Sequence, residues 1–178
     1  GYSADEALEM MKFLEKFEDV EFIEQPIPRG RLEELLHLRK NSTLPVMLDE
    51  DVISERNAMK AIEAKACDYI NIKLMKSAGI SGAARIASVC EAAEIPCMVG
   101  CYNESGISIT AGVHFALGSG AVLFADLDSD LMLEEDLLES GGAWIGDGSR
   151  GVEDRPGFGD FKPRVQRLGQ HIVFLRAQ

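Results

Sequence analysis

Pro45-Val46-Met47-Leu48-Asp49-Glu50 is an unbroken apolar run that ends in two acids. A strand with one wet face alternates apolar and polar residues. A run apolar at consecutive positions belongs to a strand covered on both faces, and so to a parallel sheet under helices. Comparable runs, partly β-branched, occupy residues 20–23, 44–48, 69–72, 95–99 and 121–125, with starts 24, 25, 26 and 26 residues apart. A repeat of about twenty-five residues leaves room between runs for a helix that crosses back over the sheet.

Those intervals carry helical spacing. Ser3 with Glu6 forms a capping box, and Ala7, Leu8, Met11, Leu14 and Phe17 make an i, i+3, i+4 stripe behind it. Leu32, Leu35 and Leu36 mark a second helix, and Ala58, Met59, Ile62 and Ala66 a third. Ala83, Ala84, Ile86, Ala87, Cys90 and Ala93 mark a fourth, and residues 107–117 a uniformly apolar fifth. A doubly wound sheet and a (β/α) barrel both fit this alternation. The doubly wound dinucleotide binder needs G-x-G-x-x-G after its first strand, whereas the close pair Gly118-Ser119-Gly120 precedes a strand. The expected class is therefore α/β, as part of a TIM-like (β/α) barrel, because five strands do not close a barrel of eight.

From about Leu131 the pattern changes. Gly141, Gly142, Gly146, Gly148, Gly151, Gly157 and Gly159 crowd a stretch without periodicity, which predicts loops and short extended pieces, then a short helix near the end. Across all 178 residues, 46% hydrophobic and 27% charged is the balance of a globular chain with a core, which excludes disordered and fibrous readings. Thirty acidic against eighteen basic residues, a net charge of −12, is the wrong sign for nucleic acid. No apolar run approaches the ~20 residues of a membrane helix, and residues 1–6 lack a signal peptide's basic and apolar regions, so a cytoplasmic chain without a membrane partner is expected. Cys67, Cys90, Cys97 and Cys101 fit neither a disulfide scaffold nor paired C-x2-C knuckles, and are expected as buried free thiols.

The residue after four of the five runs carries the chemistry. Glu24 follows the first run, Asp49 and Glu50 the second, Lys73 the third and Asp126 the last. In parallel α/β folds the C-terminal strand ends share one rim, so Glu24, Asp49, Lys73 and Asp126 are expected to converge there. Read singly, each acid is an ordinary solvated strand end and the lysine a stem packed on apolar surface. Read together, Glu24 and Asp49 suit a hard cation such as Mg2+, and Lys73 suits an acid/base catalyst tuned by its surroundings. Asp126-Leu127-Asp128 places two carboxylates on one side of an extended segment, fit to grasp an ammonium group. His37, His114 and His171 are too scattered for a metal site, and Lys76 is expected in solvent.

These motifs resemble the enolase superfamily, within it the muconate-lactonizing subgroup that includes dipeptide epimerases. Glu24-Gln25-Pro26 resembles the fourth-strand motif with its metal-binding glutamate, and Leu48-Asp49-Glu50 the fifth-strand pair with its metal-binding aspartate. Asn71-Ile72-Lys73-Leu74-Met75-Lys76 is similar to the sixth-strand stretch whose first lysine is catalytic. Val99-Gly100-Cys101-Tyr102-Asn103-Glu104 resembles the seventh-strand segment, in which a glutamate lines the pocket, and Asp126-Leu127-Asp128 the eighth-strand pair that holds the substrate's α-ammonium. Pro156-Gly157-Phe158-Gly159 is similar to a motif near the family's C-terminus. Gly1-Tyr2 resembles the tail of the motif bearing the third metal-ligand aspartate, and the second-strand lysine pair has no counterpart here. Asp51, where the family commonly has serine, and Ala78, where a second glycine is common before Gly79, depart from the pattern.

The resemblance implies strands 4 to 8 of the barrel in residues 1–133, and in residues 134–178 a segment that packs on an N-terminal capping domain. It implies a Mg2+-dependent dipeptide epimerase of L-Ala-D/L-Glu type, which abstracts the proton α to a carboxylate through an enediolate. Lys73 is then one acid/base, Glu24 and Asp49 are metal ligands, Asp126, Asp128 and Glu104 contact substrate, and Glu50 supports the ligands. The other lysine and third ligand are expected from a missing N-terminal half, and a homo-oligomer is compatible. An o-succinylbenzoate synthase or muconate cycloisomerase, whose substrates lack an α-ammonium, and a non-catalytic fragment are the alternatives.

Overall fold

The structure, a computed structural model, describes residues 1–159 and 161–163. Five strands, β1 (Ile23–Glu24), β2 (Val46–Leu48), β3 (Tyr69–Lys73), β4 (Cys97–Gly100) and β5 (Val122–Ala125), pair in chain order, each parallel to the next. A sheet that never reverses its order is the progression of a barrel wall, whereas a doubly wound sheet has a switch point. The helices are α1 (Ala4–Leu14), α2 (Leu32–Asn41), α3 (Glu55–Glu63), α4 (Gly79–Ala92) and α5 (Gly106–Gly118).

The apolar runs become strand only where they find a neighbour. Of the first run, residues 20–23, only Ile23 joins β1, which pairs as Ile23 with Val46 and Glu24 with Met47. β1 is the sheet edge, with β2 as its one strand neighbour, and the ladder between them begins where Ile23 N donates to Pro45 O at 2.9 Å. The stripe on α1 also stops early. The helix ends at Leu14, where Glu15 turns to accept from Ser42 Oγ and Thr43 N, and Phe17 lies outside it, its ring against Phe13. The Ser3–Glu6 capping box is formed, as the spacing predicts.

Alternation along the strands sorts the core into two sides. Val46, Leu48, Ile70, Ile72, Cys97 and Val99 pack against Leu35, Ala58, Ala83, Ile86 and Ile109 of the helices. The other face is concave. Phe22, Tyr69 and Phe124, from the first, third and fifth strand positions, meet over it with ring centroids 5.4 to 5.8 Å apart. Side chains from alternate strands sharing a layer are the packing of a barrel interior, so the sheet is a curved part of a (β/α) barrel. Cys67, Cys90 and Cys97 are buried, Cys101 is partly so, and none is in a disulfide.

After β5 a 3-10 helix (Ser129–Met132) leads into short extended pieces. β6 (Leu138–Gly141) pairs antiparallel with β9 (Phe161–Pro163), and β7 (Trp144–Gly146) with β8 (Ser149–Gly151). This glycine-rich stretch packs on α5: Asp136 accepts from Gly106 N at 2.6 Å, and Thr110 Oγ1 from Ala143 N at 2.7 Å. Arg150 grips Asp130 with both guanidinium arms. The expected terminal helix and His171 lie outside the described residues. Among the described residues no helix is long and apolar enough to cross a membrane.

Candidate active site

The inner pleat positions of β1, β2 and β3 end in Glu24, Asp49 and Lys73, and the structure brings the three together. Lys73 Nζ donates to Asp49 Oδ2 at 2.7 Å, and Asn71 Nδ2 to Glu24 Oε1 at 2.7 Å. Asn71 is 1% exposed in the middle of an apolar strand. It shares the inner face with Lys73 two residues on, which is the signal that marks it as part of the site. Among the described residues its Oδ1 is buried without a hydrogen-bond partner, and Gly100 lies against it: a Cβ there would stand 2.6 Å from that oxygen. Only glycine lets β4 pass this close.

Lys76 is the main correction. Instead of standing in solvent, its side chain is 6% exposed, and its ammonium binds both the main-chain oxygen and Oδ1 of Asp49. The β3–α4 turn forces this, since Ser77 N bonds back to Lys73 O and Gly79 N to Leu74 O, folding Lys76 over the strand ends. Ala78 completes the turn at φ 59°, the left-handed conformation that glycine adopts without cost. Gln25, itself at φ 39°, staples the neighbouring turn. Its Oε1 accepts from Asp49 N and Asp51 N, and its Nε2 donates to Ile27 O and Asp51 Oδ2. Asp51 also accepts from Gly30 N at 2.7 Å, so the departure from serine ties two loops.

The charges perturb one another. Burial alone would raise the Asp49 carboxyl, but hydrogen bonds from Lys73 and Lys76 hold it below its ordinary value. Glu24, although its residue is exposed at the rim, is raised, first because the protein packed along one side of it displaces water, then because Asp49 repels its charge, against the pull of Asn71. Burial pushes Lys73 down, yet Asp49 and then Glu24 leave it raised. Lys76 is lowered, chiefly by burial. Lys73 Nζ also sits over the Tyr102 ring, 5.0 Å from its centroid, a contact that sequence patterning did not single out.

Other predicted residues stand apart. Glu104 is 6% exposed and turned inward, its oxygens taken by Tyr102 N and Ser108 Oγ, while its own N–H donates to Ser129 Oγ. That arrangement anchors the Tyr102 loop. Glu50 is exposed, its charge felt at Lys76. Asp126 and Asp128 are exposed on either side of buried Leu127, which packs against Gly112, so the two acids do share one side. They border a cavity of about 420 Å3 with Ile145 and Arg150. Among the described residues no bond joins them to the Glu24–Asp49–Lys73 cluster. His37 is exposed, and His114 stacks near Phe158.

Two carboxylates from adjacent strands, with cationic groups already drawn to one of them, form a hard-oxygen donor set. Mg2+ takes one or two carboxylates and fills its octahedron with water and substrate, so Glu24 and Asp49 fit it. Among the described residues no group of three potential ligands converges.

Comparison with known proteins finds relatives of this chain among the epimerases. The L-Ala-D/L-Glu epimerase of Thermotoga maritima is 42% identical over 151 residues, 84% of this chain and 43% of that protein. The L-Lys-D/L-Arg epimerase of Methylococcus capsulatus is 40% identical over 160 residues, 89% of this chain and 44% of the relative. The chain thus spans less than half the length of these relatives. Among solved structures, the substrate-liganded L-Ala-D/L-Glu epimerase of Bacillus subtilis superposes with a TM-score of 0.81 at 33% identity, covering 92% of this chain and 44% of that one. The dipeptide epimerase of Cytophaga hutchinsonii complexed with Mg and D-Ala-L-Val gives 0.80 at 34%, covering 84% and 40%. The Enolase C-terminal domain-like family matches residues 1–160, and the chain belongs to that family.

Proposed function

We propose that this chain supplies the Glu24–Asp49–Lys73 side of a Mg2+-dependent dipeptide epimerase, most akin to the L-Ala-D/L-Glu type. The observation that carries the reading is the 2.7 Å contact of Lys73 Nζ with Asp49, beside Glu24 on the rim of a partial barrel. Its similarity to an L-Ala-D/L-Glu epimerase and an L-Lys-D/L-Arg epimerase supports it.

Glu24 and Asp49 would hold Mg2+, which when bound offsets the negative charge developing on a carboxylate as its α-proton leaves. Lys73 takes or returns that proton on one face of the α-carbon. To take the proton Lys73 must be a neutral amine, and its attraction for Asp49 and Glu24 opposes that state; a cation held by those two carboxylates would weaken the attraction. Asp126 and Asp128 hold the substrate's α-ammonium, a role that favours a dipeptide over the substrates of the lyase and cycloisomerase readings. A second lysine and a third carboxylate would come from an N-terminal part of the same protein, on whose capping domain the glycine-rich stretch after β5 would also pack.

The test is exchange at the α-carbon. The full-length protein with Mg2+ is expected to wash deuterium from D2O into the C-terminal residue of L-Ala-L-Glu, observed by NMR, and EDTA is expected to stop it. Exchange unaffected by EDTA would defeat the metal-assisted reading.

A further inference from the structure

Asp49 is held through both its main chain and its carboxylate. Its N–H donates to Gln25 Oε1 at 3.0 Å, while its carbonyl and its Oδ1 both accept from the Lys76 ammonium. One donor group bridging the main-chain and side-chain oxygens of a single residue leaves the carboxylate little rotational freedom, and Oδ2 stays on the Lys73 side. Burying an ammonium is costly without compensation. The β3–α4 turn does not need it, because main-chain bonds already close that turn.

We propose that Lys76 is a positioning residue for cation binding: it chelates Asp49 from behind and presets the carboxylate for a divalent metal. The inference rests on the reading of Asp49 as a metal ligand. Its sign sets it apart from simple electrostatics. A cation beside two carboxylates repels Mg2+, so removing its charge alone would tighten metal binding. Losing the clamp weakens binding, because an unheld ligand must be ordered at the moment of binding.

The experiment is titration of Mn2+ into the full-length protein at fixed pH, followed by electron paramagnetic resonance of the free ion, with thermal melts to establish folding. Lys76→Met is expected to bind Mn2+ at least ~10-fold more weakly, in the range for loss of a group that orients a ligand. Lys76→Arg, which keeps two donors for the same oxygens, is expected to recover most of that loss. Should Lys76→Met not fold, Lys76→Gln, too short to bridge both oxygens, is read in its place with the same expectation. Unchanged or tighter binding by the folded variant overturns the proposal and leaves the metal reading standing. Failure of the unmutated protein to bind Mn2+ overturns both.

Discussion

Phe22, next to β1 in the chain, and Phe124 of β5 lie with ring centroids 5.4 Å apart although β1 and β5 are opposite edges of a five-stranded sheet. Four strand spacings in a flat sheet would separate them by ~19 Å, so the contact measures how far the sheet has curled. With Tyr69 they form a layer that plugs the concave face beneath Glu24 and Asn71. Phe124→Ala is expected to destabilise the full-length protein by roughly 2 kcal/mol, as lost apolar burial plus lost ring contacts. Urea unfolding checks this, and a loss under ~0.5 kcal/mol would mean that the layer does not support the curvature.

Ala78 stands at φ 59° where relief is available by substitution. A left-handed non-glycine residue costs ~1–2 kcal/mol, and glycine returns part of that as unfolded-state entropy. Ala78→Gly is therefore expected to stabilise by about 0.5 kcal/mol, measured by thermal or urea unfolding. Destabilisation would show that the turn does not strain Ala78.

The alternation of strand and helix, the barrel class and the charged strand ends were legible because each follows from local pattern: consecutive apolar residues, helical spacing, and a polar residue where burial ends. Glu24, Asp49 and Lys73 were found that way. Lys76 was not, since nothing local distinguishes a solvated lysine from one folded inward by the hydrogen bonds of a turn. The bonds that Glu104 accepts from Tyr102 N and Ser108 Oγ are equally invisible in local pattern, because they depend on how the loop folds. The end of β1 was illegible too, as strand extent at an edge depends on a neighbour and not on the apolar run.

Lys73 is the group expected to move the proton. Lys73→Ala is expected to lower kcat for α-hydrogen exchange by at least ~10²-fold, the usual contribution of a positioned acid or base. Following deuterium incorporation from each epimer separately decides the role. Full exchange retained in both directions would remove Lys73 from the chemistry.

Asp126 and Asp128 are expected to act on binding. Charge-assisted hydrogen bonds contribute ~1.5–3 kcal/mol, so Asp126→Asn or Asp128→Asn is expected to raise KM for a dipeptide with a free amine by roughly 10- to 100-fold. An N-acetylated dipeptide, lacking the ammonium, is expected to lose this dependence. Equal effects on both substrates would reassign the pair to structure.

Glu24 links function to stability through pH. Its folded-state proton affinity is raised above the ordinary carboxylate value of 4.5 by desolvation and then by Asp49. A raised acid contributes stability that is present below its unfolded value and is lost as pH rises through the folded one. At pH 7 in EDTA its charge therefore opposes folding, and Glu24→Gln, which retains an acceptor for Asn71, is expected to be more stable than the unmutated protein. The advantage is expected to vanish below about pH 4, where both side chains are neutral. Asp49 runs the other way: its lowered value contributes stability above the unfolded carboxylate range, lost only as pH falls through the depressed folded value. Adding Mg2+ at pH 7 is expected to stabilise the unmutated protein and to leave Glu24→Gln nearly unmoved, because only the ionised ligand gains by mass action. Urea midpoints at the two pH values, with and without Mg2+, measure all of this. A Glu24→Gln protein less stable at pH 7 in EDTA would show that the carboxylate is retained for folding and not for a cation.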